Sequence, residues 1–218
     1  MAARVANAQG YAPIVLKSYN DFVSGDRPPS RCPDFEHAEI EAGDKQLLKM
    51  LSVSVFDLNG VAQELKDYYP RVAWVGEAVN ARTNSEAIKL ARAGDFDPTK
   101  KVIIEGDVNP SAASGTGSIR ITQYGTDSLN VLIDSTSEGW FYITDVWYPG
   151  WKAWVNGEGT QVYRANGTFR AVRVPSGQST VFMYYESTYL NLGIWIAMIT
   201  WVVIIGVGVM WWWKQRRG

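Results

Sequence analysis

The sequence predicts a mainly β protein of the α+β class: an antiparallel β-sandwich, preceded by a small α+β region and followed by one C-terminal transmembrane helix. Three observations predict it. After residue 118, apolar side chains recur with a period of two between Gly- and Pro-marked turns. Before residue 108, helix-like and strand-like segments mix. Residues 192–213, LGIWIAMITWVVIIGVGVMWWW, hold no charge, proline or side-chain amide.

That last stretch is decisive for class. Its 22 residues reach roughly 33 Å as a helix, enough for a hydrocarbon core of about 30 Å. A buried core helix is rarely apolar all round over this length. Of ten tryptophans, Trp195, Trp201, Trp211, Trp212 and Trp213 fall in the last 24 residues. Tyr184, Tyr185, Tyr189 and Trp195 at one end and Trp211 to Trp213 at the other bracket the span, as rings that favour the headgroup region do. Lys214, Arg216 and Arg217 follow at once, whereas Glu186 is the sole charge between Arg173 and Lys214. The positive-inside bias places residues 214–218 in the cytoplasm and the rest outside, on a single pass through the cell (inner) membrane. The first thirty residues contain no apolar run of signal-peptide length, so either the C-terminal helix itself serves as the export signal or an upstream membrane segment lies outside the given chain, the second being favoured. Gly193, Ala197, Gly206 and Gly208 offer small-residue positions for a neighbouring helix.

The elements in order give residues 1–108 as a small extracytoplasmic α+β region, 109–117 as a linker, 118–188 as the sandwich and 190–213 as the membrane helix. Pro13–Val23 and Asp44–Leu51 suit short helices, and Val53–Leu58, Arg71–Val75 and Lys101–Glu105 suit strands. Thr83 and Glu86 form a capping box before Ile88, Leu90 and Ala91, and Gly94 ends that helix. NPSAASGTGS, residues 109–118, lacks any large apolar side chain and reads as the linker. In the sandwich, Ile119 and Ile121; Leu129, Val131 and Ile133; Trp140, Tyr142 and Thr144; Trp151, Ala153 and Val155; Val172 and Val174; Val181 and Met183 alternate with other neighbours. Turns are marked at Gly125–Ser128, Pro149-Gly150, Asn156-Gly157, Asn166-Gly167 and Pro175–Gly177. The last strand runs almost directly into the membrane helix, which puts the sandwich close to the lipid surface.

Several chemistries find little support. A net charge of −1 gives no basic stripe for nucleic acid. One cysteine, Cys32, permits no internal disulfide. Cys32, Asp34, Glu36 and His37 match no standard metal-site spacing and read as a solvated acidic loop. Asp95 and Asp97 form a D-x-D pair that reads as a turn before Pro98. Asn166-Gly167-Thr168 is a glycosylation sequon by pattern and reads as a hairpin turn. No catalytic, cofactor or metal residue is assigned. Trp147, Tyr148, Trp151 and Trp154 are the candidate contacts, for carbohydrate through ring stacking or for another protein.

The segment YPGWKAWVNGEGTQVYRANGTFRAVRVPSGQSTVFMYY, residues 148–185, resembles the C-terminal extracytoplasmic region of the YfhO family of bacterial multi-pass membrane proteins. The pattern is Tyr148-Pro149-Gly150-Trp151, Asn156-Gly157, Tyr163-Arg164-Ala165-Asn166, Phe169-Arg170-Ala171-Val172 and Val174-Pro175 with Gly177, then a membrane helix. QGYAPIVLKSYNDFV, LLKMLSVSVFDL, YYPRVAWV and GDFDPTKKVIIE are similar in the same order. The resemblance implies a relation to glycosyltransferases that use lipid-linked sugars, whose catalytic acid belongs to an early loop between membrane helices that has no counterpart here. With one membrane helix, the chain is expected to be a non-enzymatic accessory subunit of a larger membrane assembly. A photosynthetic or respiratory complex is one host that the residues do not select. The alternatives are a C-terminal fragment of a YfhO-like glycosyltransferase and a carbohydrate-binding module. The expected partners are the bilayer and other membrane subunits, with carbohydrate as a candidate and nucleic acid excluded.

Overall fold

The computed structural model describes residues 17–24, 46, 48–58, 61–108 and 111–217. It forms two units, one through Tyr184 and one from Tyr185 to Gly218. The first contains α1 (Lys17–Ser24), β1 (Val55–Leu58), β2 (Val61–Glu64), β3 (Val72–Val75), β4 (Glu77–Ala81), α2 (Asn84–Ala91), β5 (Lys101–Glu105) and β6 (Ser111–Ala112). It continues with β7 (Gly117–Tyr124), β8 (Ser128–Ser135), β9 (Gly139–Ile143), β10 (Trp151–Val155), β11 (Glu158–Thr160), β12 (Tyr163–Ala165), β13 (Phe169–Val174) and β14 (Gly177–Tyr185).

The strands make a two-stranded hairpin, a five-stranded sheet β11-β10-β14-β8-β7 and a seven-stranded sheet β3-β9-β13-β12-β5-β4-β6. The sandwich core lies between the two large sheets: Leu129, Val131 and Ile133 of β8 and Val181 and Met183 of β14 meet Phe141 and Ile143 of β9 and Val172 and Val174 of β13. A second core covers the other face of the seven-stranded sheet, where Trp140, Tyr142, Ile104 and Phe169 pack with Phe22 of α1 and Ile88 of α2. The mainly β class with a sandwich and a C-terminal apolar helix is as the sequence predicts.

Burial explains where strict alternation fails. In β8, buried residues alternate with more exposed ones, since only one face is covered. In β9 all five residues are buried, and in β13 all but Arg173, because helices cover one face and the second sheet the other. Trp140 and Tyr142, which alternation picks out as one set, therefore face the helices, while Phe141 and Ile143 face the sandwich core.

Where the sequence suggests a boundary at 109–117, the structure has a shared sheet. β3, β4 and β5 lie in the same sheet as β9, β12 and β13, and β6 pairs antiparallel with β4. A polar, small-residue stretch can cross the rim of one sheet as readily as it can join two bodies.

Local signals account for the short elements. Thr83 caps α2 by accepting from the Glu86 amide at 3.2 Å, and the Glu86 carboxylate accepts from the Arg82 amide at 2.8 Å. The helix ends with Arg92 as its C-cap, before Gly94. Arg92 Nη1 in turn donates to the carbonyls of Phe22 at 2.7 Å and Val23 at 3.2 Å, which satisfies the end of α1. β4 and β5 run parallel with α2 as their crossover. Asn156 and Gly157 have φ of 55° and 84°, the mirror-image turn that suits the β10–β11 hairpin. The predicted helix Asp44–Leu51 is described only at residues 46 and 48–51, of which 46 and 48–50 are helical, and residues 13–16 of the first predicted helix lie outside the described residues.

The second unit is α3 (Thr188–Arg216). Its segment Leu192–Arg216 contains an 18-residue stretch with a mean hydropathy of 2.4, none of it buried inside the protein. Such a surface is unfavourable in water and matches a lipid environment. Trp195, Trp201, Trp211, Trp212 and Trp213 are all exposed on it. The Arg216 guanidinium lies 3.9 Å from the Trp212 ring centroid and that of Arg217 lies 5.7 Å from the Trp213 centroid. At about 100° per residue, Gly193, Ala197 and Gly208 share one face of α3 and Gly206 falls on the opposite side.

Candidate functional site

The four aromatic candidates come apart into three places. Trp147 and Tyr148 line a shallow cavity of about 380 Å³ with Lys17, Asp21, Asn84 and Arg164. Trp151 covers the guanidinium of Arg170, whose Cζ is 3.6 Å from the ring centroid. Trp154 lies on the outer face of the five-stranded sheet, stacked on Tyr184 with centroids 5.0 Å apart.

The cavity is tied to the fold beneath it. Trp147 Nε1 donates to the Val162 carbonyl at 3.2 Å, and its ring carries Arg164 at 4.3 Å. Arg164 Nη1 donates to Glu105 Oε2 at 3.0 Å, and Asn84 Nδ2 donates to the same oxygen at 3.2 Å and to the Gly167 carbonyl. At the rim, Lys17 pairs with Asp21 at 2.6 Å. Each charge has an opposite partner, so the cavity has no strong preference for a charged ligand. Half-exposed Tyr148 adds an aromatic side chain at the rim.

A second cluster closes the end of the sandwich from which β14 leaves. Asp145, just after β9, accepts from Arg170 Nη2 at 2.6 Å and from Arg71 Nη2 at 2.7 Å. Tyr124 at the end of β7 donates to Asp145 at 3.0 Å and also takes a hydrogen bond from Arg71. The cluster joins both sheets, since Tyr124 and Trp151 belong to one and Arg170 to the other. Arg170 is only 4% exposed, and its Nε and Nη1 have no hydrogen-bond partner. Burial pulls its pKa down, and Asp145 offsets part of that pull. The sequence analysis missed Arg71, Tyr124, Asp145 and Arg170. The available signal was Arg170 between the apolar residues Phe169 and Ala171 of β13.

Other candidates resolve into structure. Asn166 and Thr168 are both fully buried, so the sequon is a turn and is closed to a glycosylating enzyme. The Asn166 amide donates to the Ile103 carbonyl at 2.8 Å, and its Oδ1 accepts from the Ile103 amide at 2.9 Å. Asp97 forms the expected turn, accepting from Thr99 N at 2.9 Å and Thr99 Oγ1 at 2.6 Å. Burial opposes ionisation of Asp97, but these bonds and nearby Lys100 outweigh it and lower its pKa. Burial, with Asp97 nearby, raises the pKa of the Tyr142 hydroxyl, which donates to the Pro98 carbonyl at 3.0 Å. Among the described residues no group of three His, Cys, Asp or Glu side chains could hold a metal. Cys32, Asp34, Glu36 and His37 lie outside the described residues.

Residues 112–197 match the family model described as bacterial membrane protein YfhO. The match runs from β6 into α3 and includes both motif-bearing segments, residues 148–151 and 163–177, so the YfhO resemblance holds there. The similar stretches before residue 112 lie outside it. No curated protein and no solved structure matches the chain.

Proposed function

We propose that this YfhO-related chain is a non-enzymatic, single-pass accessory subunit of a larger membrane assembly. The observation that carries this reading is how the residues of the YfhO pattern are used. Arg164 binds Glu105 and covers Trp147; Asn166 pairs with Ile103; Phe169 meets the Phe22 ring edge-on at 5.3 Å; Arg170 pairs with Asp145 beneath Trp151. Side chains engaged in this way hold layers together, which is what a docking domain needs. Purification of the native protein in a gentle detergent is expected to bring other membrane subunits with it, and recovery as a lone monomer counts against the proposal.

In this reading the sandwich is extracytoplasmic, with the tail in the cytoplasm of a bacterial cell; Lys214, Arg216 and Arg217 supply the support, through the positive-inside bias. Protease added to intact spheroplasts should then digest the sandwich and spare an epitope fused after Gly218. Digestion of the epitope alone would reverse the orientation.

The match to YfhO and the cavity beside Trp147 and Tyr148 favour a second reading, in which this region is part of a glycosyltransferase and handles its acceptor glycan. Intact mass of the native chain separates the two. A mass near 24.3 kDa supports the subunit, and a much larger one, from further apolar segments, supports the enzyme.

A further inference from the structure

The outer face of the five-stranded sheet changes character along its strands. Toward the end where β14 leaves the domain, the Tyr184 ring is 5.0 Å from Trp154 and 5.7 Å from Phe182, and Phe182 is 6.1 Å from Trp154. Further back on the same face of β14 stand Thr180 and Gln178, both exposed, paired with Leu132 and Asp134 of β8. The inward neighbours Val181 and Met183 are fully buried, so the core is already filled without these rings. On this outward face the aromatic side chains gather at one end, while the other carries Thr180, Gln178 and Asp134 with Leu132 among them.

We propose that the aromatic end, Trp154, Phe182 and Tyr184, contacts the lipid headgroup layer of the leaflet that α3 enters. Chain length argues for lipid as the occupant. Tyr184 precedes Thr188, the first residue of α3, by four positions, a reach of at most about 14 Å. The apolar span begins only one helical turn later, at Leu192, and a headgroup layer is roughly 5–8 Å deep on each side. Trp and Tyr favour that layer because it is dry on one side and hydrogen-bonding on the other. Lys152, exposed two residues before Trp154 in β10, adds a cation suited to anionic headgroups. The order along β14 agrees: Phe182 and Tyr184 come nearest to the span in the chain, and Gln178 and Thr180 come before them.

The inference rests on α3 crossing the bilayer and is independent of the choice between subunit and enzyme. The test uses the full chain, labelled with 5-fluorotryptophan, in lipid bicelles. Resonances of Trp154, Trp140 and Trp201 are assigned by exchanging each for Phe. Lipid with a nitroxide on its headgroup should remove most of the Trp154 signal and leave Trp140, which is 1% exposed in the helix-side core. Lipid with the nitroxide deep in the acyl chain should remove Trp201. If Trp201 responds and Trp154 behaves like Trp140, the headgroup contact is overturned while the membrane span stands. If Trp201 also fails to respond, the span itself is refuted and the contact with it.

Discussion

Asp145→Asn lowers the melting temperature of the domain by on the order of 10 °C. The carboxylate is the ionised partner of Arg170, which is 4% exposed and has two further nitrogens without hydrogen-bond partners. The amide keeps an acceptor but removes the charge, leaving a cation buried among Trp151, Tyr124 and the strand ends. Breaking a buried pair from one side costs about 3–5 kcal/mol, and for a unit of this size each kcal/mol moves the midpoint by about 2–4 °C. Arg71→Gln should cost far less, because 43% of the Arg71 side chain is exposed and water can replace its bond. Adding Arg170→Met to the Asp145 variant removes the stranded charge and should recover part of the loss. A midpoint for Asp145→Asn within about 2 °C of wild type would show that the cluster does not hold the sheets together.

Gly139→Ala is expected to destabilise the sandwich by about 2–3 kcal/mol, at the upper end of ordinary overpacking. A Cβ at this position would lie 2.5 Å from Trp74 Cζ2 and 2.7 Å from the Val75 carbonyl oxygen. Neither can yield cheaply. The carbonyl belongs to β3, and the Trp74 ring is confined on another side by Gly117, whose added Cβ would meet Trp74 Cγ at 2.6 Å. The indole thus occupies a slot that exists because glycines line it. Trp74→Leu combined with Gly139→Ala should be less destabilised than the sum of the two changes, since the smaller side chain vacates the contested space. Thermal denaturation of the four proteins measures this coupling, and strict additivity would refute the slot.

The difference between these predictions and the sequence analysis lies in what is local. Asp145 and Arg170 are 25 residues apart and Arg71 is 74 from Asp145, so no spacing rule joins them. Trp147, Tyr148, Trp151 and Trp154 form one group on paper because they fall within eight residues, yet chain direction and the turn at Gly150, with φ of 111°, send them to three sites. The turns themselves were legible. Asn156-Gly157 and Asn166-Gly167 sit where the backbone has φ above zero, a demand met within two residues and therefore written in the residue types.

The sequence by itself determined the class, the hairpin turns, the YfhO resemblance and the apolar helix. Each of these depends on side chains within one strand, one turn or one span, where period, φ preference and transfer free energy act without distant partners. Only the tertiary structure decided that strands from the first 108 residues complete the seven-stranded sheet. It alone decided that β9 and β13 are covered on both faces and that Arg170 lies buried against Asp145. Those outcomes follow from which apolar faces exclude water together, and burial of that kind is a property of pairs of surfaces that no single stretch of chain contains.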